Sequence, residues 1–509
     1  MNRFDRLIAY FAPRAAAERA RARVAIEAYA AAKDTRLRNI KRTSSGPNAT
    51  VRSDAVTLRR MARQFDEDSD LAKRALDLLV QNVIGPGITP EPTARTADGT
   101  AAVDFNEAVA RRLRDWRRRP EVTRRFSDAA AKRLAFRSLM RDGEVLIQHV
   151  RGSAPGLTHS TALPYSYELI DADRLPMDYD NQVGRISAGG TIVQGIALND
   201  WNEPQAYFLN PYLVDDRRSL GSLNTSTPIR KDAADILHAA LISRIGQLRG
   251  VSQFATVMSR LEDMNEVDEA ERIAVRIAAS IGLAIYSSKN QKPAVDADDD
   301  TRTFEFQPGF VLSLDPDDKA EMLESKRPTE SLMPWRKSQS QAFAGGVNVG
   351  YSSLMMDYLG TYSSQRQELV EAFASFGVIW SHWVDTVEEP MYRETLKLLI
   401  ATDADIRTLS RELDERTIYD AEFSRPVMPW VDPVKEAESL QLQYDLGIKT
   451  KASMIRERGG NPEETTEAVA EEKRAAAKLA LETAPPAPAA AVPTDGAPQK
   501  PTPKGKAAA

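Results

Sequence analysis

The sequence predicts an α+β fold, predominantly helical, with a small antiparallel sheet. Apolar residues recur at helical spacing over residues 53–142 and again beyond residue 252. The block between them holds short alternating runs separated by turn residues. With 509 residues, 42% of them hydrophobic and 28% charged, the chain has room for about two to four core-bearing units of soluble composition.

In chain order, residues 1–33 suit a surface helix, followed by a turn at Ser44–Asn48. Ser53 or Asp54 could cap a helix carrying Val56, Leu58 and Met61. Asp70 could cap the next, with Leu71, Ala75, Leu78, Leu79 and Val83 at helical spacing until Gly85-Pro86-Gly87 stops it. Helices are expected over 104–118, with a stripe through Phe105, Val109, Leu113 and Trp116, and over 129–142, ending at Gly143. Strands are expected at 145–149, 165–170, 191–198 and 205–209, the last after a turn at 202–204, with a loop over 217–227. Residues 236–240 read as a short buried strand or the start of a helix.

From Ser252 a long helix should run to Ile281, its apolar stripe passing through Phe254, Val257, Met258, Leu261, Met264, Val267, Ile273, Ile277 and Ile281. Its other face is acidic: Glu262, Asp263, Glu266, Asp268, Glu269 and Glu271. Residues 286–310 combine a polar loop, an acidic run and a strand at 303–306. A helix over 329–345 must hold Pro334 in its first turn or at a kink. A longer one over 362–400 should bend near Gly377 and be interrupted near Pro390. Helices follow at 432–446 and 464–482, with Gly447 and a turn at 459–463 between them. The Pro-, Ala- and Lys-rich segment 484–509 has little apolar surface to bury, so disorder is expected.

Net charge is −5, but residues 1–63 hold fifteen Lys/Arg against five Asp/Glu, a basic arm on an acidic body. That arm is either a solvated helix face or a contact for nucleic acid or an acidic partner. The absence of cysteine excludes disulfides, thiolate metal sites and cysteine nucleophiles. No apolar run reaches the roughly 18 residues of a spanning helix. The N-terminus lacks the apolar core of a secretory signal, so synthesis and assembly in the cytosol are expected.

Chemistry is sparse. The four histidines, His149, His159, His238 and His382, lie far apart, and His149 and His238 fit hydrogen-bonded core positions. No phosphate-binding GxxxxGK[ST] sequence occurs. Asp296, Asp298 and Asp300 mimic the start of a calcium loop, but Thr301 and Gln307 stand where its glycine and bidentate glutamate belong. The pairs Asp171/Asp173 and Asp315/Asp317 suit turns around Pro176 and Pro316 better than a metal site. No enzyme active site, metal or cofactor is expected.

Residues 342–368, AFAGGVNVGYSSLMMDYLGTYSSQRQE, are the most distinctive stretch: an apolar segment ending at Gly345-Gly346, a constrained loop, then a long helix. This stretch is similar to the stem-helix, tunnel-loop and following-helix region of lambda-type phage portal proteins. Further pieces resemble that family in its order. They are LRRMARQFDEDSDLAKRALDLLVQNVIGPGITPEP (58–92), FNEAVARRLRDW (105–116), LMRDGEVLIQH (139–149), YELIDADRLPMD (167–178) and IVQGIALNDWNEPQAYFLNPY (192–212). The segment 236–271 resembles it with Gln247, Arg249 and Gly250 on matching positions, as does 430–464.

The resemblance implies a portal fold of wing, stem, clip and crown. Residues 1–52 would be a basic arm, 53–235 wing, 236–285 stem, 286–325 clip and 326–346 the second stem helix. Residues 347–361 would be the tunnel loop, 362–400 a long wing helix, 401–483 the C-terminal wing or crown region, and 484–509 a tail. It implies a homo-oligomeric ring, usually of twelve subunits, at one capsid vertex of the virion, assembled in the host cytoplasm. Double-stranded DNA would pass through it. The terminase large subunit and later neck proteins would dock on it, with major capsid and scaffold proteins around it and no membrane involved. Asn348, Ser352, Ser353 and Met355 would lie near DNA, and Arg366 would anchor the loop to a neighbouring subunit. Glu262, Asp263, Glu266 and Glu269 would line the channel, unless they are an ordinary outer helix face. The alternatives are a nuclease or ATPase of DNA packaging, or a helical capsid adaptor.

Overall fold

The computed structural model describes residues 46–180, 191–211, 227–280, 284–287, 318–321, 331–426, 428, 433–458, 460 and 462–483. Outside the described residues lie the helix expected over 1–33, the loop 217–226, the acidic run 296–300, the strand 303–306, the pair Asp315/Asp317 and the tail 484–509.

Helix α1 (Pro47–Asp68) starts before the expected cap at Ser53 or Asp54. Pro47 takes the first helical position, where its missing N–H has no intrahelical role, and Ser53 lies within the helix, its Oγ bonded to the Thr50 carbonyl. Ser69, not Asp70, caps α2 (Asp70–Val83), while Asp70 sits in the first turn, where the helix dipole favours an anion. Gly85 and Gly87, both at positive φ, end it as expected. After β1 (Pro90–Pro92), α3 (Val103–Trp116) buries the expected stripe Phe105, Val109, Leu113 and Trp116. Helix α4 (Asp128–Asp142) runs from its Ser127 cap to Gly143.

The strands follow: β2 (Glu144–Arg151), β3 (Tyr165–Ile170), β4 (Thr191–Val193), β5 (Ile196–Leu198), β6 (Pro204–Leu209), β7 (Ile229–Asp232) and β8 (Ile236–Ala240). They form two antiparallel sheets rather than one, ordered β3-β2-β8 and β4-β5-β6-β7. The single strand expected over 191–198 is a hairpin, because Gln194 and Gly195 both adopt positive φ (53° and 82°), the geometry of a tight two-residue turn. Residues 236–240 prove to be a strand, pairing with β2 so that His238 lies opposite Leu146.

Helix α5 (Met258–Ser280) begins later than Ser252, whose hydroxyl instead accepts the Phe254 amide at 3.1 Å in a preceding turn. Strands β9 (Ala284–Ser287) and β10 (Asp318–Glu321) pair antiparallel. Helix α6 (Leu332–Gly346) holds Pro334 in its first turn, and the short α7 (Tyr351–Met355) precedes α8 (Tyr362–Trp383). Helix α8 runs unbroken through Gly377. Gly377 leaves space for the Arg425 guanidinium, which donates to the Phe373 carbonyl at 2.7 Å. The break comes at Val384–Glu388, one wide π turn before α9 (Glu389–Thr402). Pro390 has no N–H for the carbonyl four residues back, and the helix widens there. Then come α10 (Ala404–Leu409), β11 (Ala421–Phe423, paired with β1), α11 (Pro433–Asp445), α12 (Lys451–Glu457) and α13 (Pro462–Thr483).

The main core joins α2–α4 and the β2 sheet to α5–α9, with Phe136 edge-on to Trp383 at 5.5 Å and Trp116 stacked on Tyr165 at 5.3 Å. A smaller core of Leu146, Ile170, Ile196, Tyr207 and Ile236 fills the space between the sheets.

Buried charge ties these layers together. The π turn aims Glu388 inward, where it accepts the Trp383 indole N–H at 3.1 Å and pairs with Lys132, which also meets Asp128 at 3.1 Å. Burial pushes the Glu388 carboxyl up. It also opposes charge on Asp128, yet Lys132 and Arg117 hold that group below its ordinary value.

The matched residues Gln247, Arg249 and Gly250 belong to a second knot. Arg249 grips Glu144, and Gly250 lies so close to the Gly143 carbonyl that a side chain at Gly250 would strike main chain. Gln247 accepts from Ser243 and donates to the Arg249 carbonyl at 2.8 Å, shaping the turn that delivers the arginine. Burial opposes charge on Glu144, but Arg249, His238 and Arg59 together hold it well below the usual carboxylate range. Asp171 and Asp173 complete the knot through Arg63, and Asp171 also caps the turn after β3 by accepting the Asp173 amide.

Candidate channel segment: an acidic helix and a glycine-flanked loop

Helix α5 packs on α6. Phe254, just before α5, stacks on Phe343 at 6.2 Å, Leu261 and Met264 are buried, and Arg260 donates to Gln339 Oε1 at 2.6 Å. Arg336 of α6 pairs with Asp268 at 3.1 Å. Of the two glycines that end α6, only Gly346 is needed for close approach, since its Cα faces the Val257 side chain. Around Gly345 there is open space.

On the side of α5 away from α6, Glu262, Asp263, Glu266 and Glu269 are all exposed. They make no ion pair with another described residue. Asp268 and Glu271, read with them in the sequence, are half-buried and buried respectively. The apolar stripe is shorter than expected: Val267 is half-buried and Ile273 is 48% exposed. Ile273 follows Glu269 by four residues and so shares the outer face. The side chains of Ile277 and Ile281 lie outside the described residues.

The loop after α6 is held in a defined shape. Asn348 and Met356 both adopt left-handed backbone, at φ 60° and 53°, one on each side of α7. Glu368 of α8 reaches back to α7, accepting the Ser352 amide at 2.8 Å and the Ser352 hydroxyl at 2.6 Å. Asp357 accepts from the Leu359 amide and the Tyr351 hydroxyl. With Lys337 at 3.6 Å, these bonds hold its carboxyl below the ordinary value. Thr361 caps α8.

Asn348 is therefore exposed, Ser352 is half-buried and engaged by Glu368, and Ser353 and Met355 are half-buried. The Ser353 carbonyl accepts from Arg74 at 3.3 Å. Ser352, Ser353 and half-buried Arg366 share the wall of a cavity of about 360 Å³ between α2, the loop and α8, and neither Asn348 nor Met355 lines it. The acidic quartet stands apart, connected to the loop through α6. Four large apolar side chains of this stretch are exposed: Met356, Tyr358, Leu359 and Tyr362, at 63, 61, 94 and 50%. Met356, beside the expected Met355, is the residue that turns left-handed, and nothing in a Met-Met pair marks it.

Among the described residues, no group of three or more His, Asp or Glu side chains could hold a metal ion, and no helix is long and apolar enough to cross a membrane. His149 bonds the Tyr165 hydroxyl at 2.7 Å, and His238 meets Glu144 at 3.1 Å, both as core residues.

Known proteins resemble this chain along most of its length. Solved chains from a virion of a native gene transfer agent particle and from the neck of such a particle with C12 symmetry are 12% and 15% identical, with TM-scores of 0.43 and 0.42. They cover 80% and 83% of this chain and 94% and 96% of their own. Likeness at that level does not bear on function. A protein of Halomonas phage phiHAP-1 described as a probable portal protein is 26% identical over 479 residues, covering 88% of this chain and 87% of the relative. Residues 33–379, well over half of the chain, match the family described as phage portal protein, lambda family. The chain belongs to the lambda family of phage portal proteins.

Proposed function

We propose that copies of this portal protein close into a ring, of twelve subunits by family resemblance, at one capsid vertex of the virion. Duplex DNA then enters and leaves through its bore. The observation that carries this reading is the outer face of α5, where four carboxylates stand exposed while the opposite face packs on α6. Repeated by rotation, such a face repels phosphate from every side. A ring lined with cations would instead bind DNA tightly, with strong salt dependence, and stall its passage.

In this reading α5 and α6 form the stem, residues 347–361 the tunnel loop, and the segment 286–325 the clip. The terminase large subunit, and later the neck proteins, would dock on the clip. Major capsid and scaffold proteins surround the ring during assembly in the host cytoplasm. The helices and sheets up to residue 235, with α8 and α9, make the wing, and residues 401–483 lead into the crown. The protein makes and breaks no bonds. Asn348, Ser352, Ser353 and Met355 lie on the loop near the duplex, and Arg366 ties it to a neighbouring subunit. Each subunit presents different patches to its two neighbours, as a closed head-to-tail ring requires.

Charge reversal tests the repulsive bore. Assembled Glu262→Lys/Glu266→Lys/Glu269→Lys protein should hold linear duplex more tightly than the unaltered protein at 50 mM salt, with a steeper loss of binding by 200 mM. Equal behaviour of the two proteins would remove the acidic face from the mechanism.

A further inference from the structure

The turn that follows α3 and the last part of that helix carry a concentration of one side chain. Residues 111–125 contain eight arginines and no lysine. Arg117 is spent on buried Asp128 at 2.8 Å, and the other seven, Arg111, Arg112, Arg114, Arg118, Arg119, Arg124 and Arg125, are exposed. Acidic neighbours offset part of this charge: Asp403 bonds Arg112 at 2.7 Å, and Asp115 stands 3.4 Å from Arg118. Glu121 is buried and occupied by the Thr123 amide at 3.0 Å. The balance stays cationic.

Arg112, Arg118 and Arg119 also edge an open cavity of about 970 Å³, whose wall includes Ser160 and Thr161 together with the carboxylates of Asp115 and Asp403. The Thr161 hydroxyl is buried in that wall without a hydrogen-bond partner.

We propose that this arginine face binds the phosphate backbone of double-stranded DNA, as a static contact separate from the repellent face of α5. The proposal rests on the portal reading only for the presence of duplex near the protein. Two features favour nucleic acid over an acidic protein. First, the guanidinium fork matches phosphate oxygens bidentately, and the row from Arg111 to Arg118 spans about 10 Å at helical rise, which is about three phosphates of one strand. Second, residues 111–127 expose no large hydrophobic side chain, whereas a protein interface is centred on such anchors and a DNA interface is polar and cationic. The cavity with its free hydroxyl then accommodates the backbone edge beside the row.

The test uses the full-length protein, a 30-base-pair duplex and a salt titration from 50 to 200 mM. Arg111→Gln/Arg118→Gln/Arg119→Gln/Arg125→Gln should weaken binding at least tenfold at 100 mM salt. It should also flatten the log–log salt slope by about 3 to 4 units, since each phosphate that is no longer neutralised removes about 0.9. The matching Arg→Lys quadruple variant should keep most of the slope. Gln replacement of the Lys and Arg residues within 1–45 separates the basic arm: whatever salt slope survives there belongs to the arginine face.

Unchanged affinity and slope in the Gln quadruple variant, confirmed folded by its thermal melt, would overturn the proposal. So would loss of polyglutamate binding with duplex binding intact, which assigns the face to an acidic protein. Ring assembly is scored in the same samples. A variant that assembles normally and loses duplex supports the face, whereas wild-type protein that never assembles strikes the portal reading and leaves the duplex result to decide the face.

Discussion

Arg249 Nη2 lies 2.6 Å from Glu144 Oε1, with both side chains fully buried. The same guanidinium donates to the carbonyls of Gln194 at 3.0 Å and Leu175 at 2.9 Å, so one cation closes both sheets around the start of β2. Removing it strands a buried carboxylate and two carbonyls.

Arg249→Met is therefore expected to cost about 3–5 kcal/mol in chemical denaturation. The double variant with Glu144→Leu should be less unstable than the sum of the two single changes, because the uncompensated charge is gone. A loss under about 1 kcal/mol for Arg249→Met would mean that Arg59 and His238 suffice for Glu144.

The two glycines that end α6 should respond oppositely. Gly346→Ala drives a methyl into Val257 and should cost about 1–3 kcal/mol, partly restored by Val257→Ala. Gly345→Ala meets open space and should be neutral or stabilising by up to about 1 kcal/mol. Equal effects at the two positions, read from melting temperatures, would contradict this packing.

Glu368 acts as the latch of the loop. Glu368→Ala removes both bonds to Ser352 and should speed amide hydrogen exchange across residues 350–359, with the cores of α2 and α4 unchanged. The local opening energy should fall by about 1–3 kcal/mol. An unchanged exchange pattern would show that the left-handed turns at Asn348 and Met356 hold the loop by themselves.

His149 gives the fold a pH dependence. Burial, aided by Arg151 and opposed by Glu394 and Asp235, lowers its pKa from 6.5 to about 4. The unfolded chain then binds a proton that the folded one refuses, so the stabilisation is fully present above pH 6.5 and is lost as pH falls toward 4. Between pH 7 and pH 5, before carboxylates titrate, stability should drop by about 2 kcal/mol. His149→Gln should flatten that slope. An equal slope in the variant would place the sensitivity elsewhere.

Much of this fold was legible in the sequence because one-sided burial imposes a period. The stripe from Phe105 to Trp116 and the stop at Gly143 needed no tertiary knowledge. Where a partner outside the local window decides, the pattern misled. Gly377 reads as a hinge, and only the fold shows that its missing side chain also makes room for Arg425, far along the chain. Ile273 reads as core until α6 covers only the opposite side of α5. The π turn lies just before Pro390 and turns Glu388 toward buried Lys132, and a hydropathy pattern carries neither relation. The acidic quartet was visible because α6 packs on the other side of α5 and leaves these residues outward. The loop was harder: left-handed turns at Asn348 and Met356, and the latch at Glu368, decide which side chains protrude.

The most direct measurement is electron microscopy of the purified full-length protein at a resolution that places α5. The chain has no native cysteine, so a single gold label at Glu269→Cys marks the helix without competing sites. Closed rings with an open centre and labels clustered around it are expected. Monomers, open filaments or rings labelled only on their outer rim would contradict a DNA channel lined by the acidic face of α5.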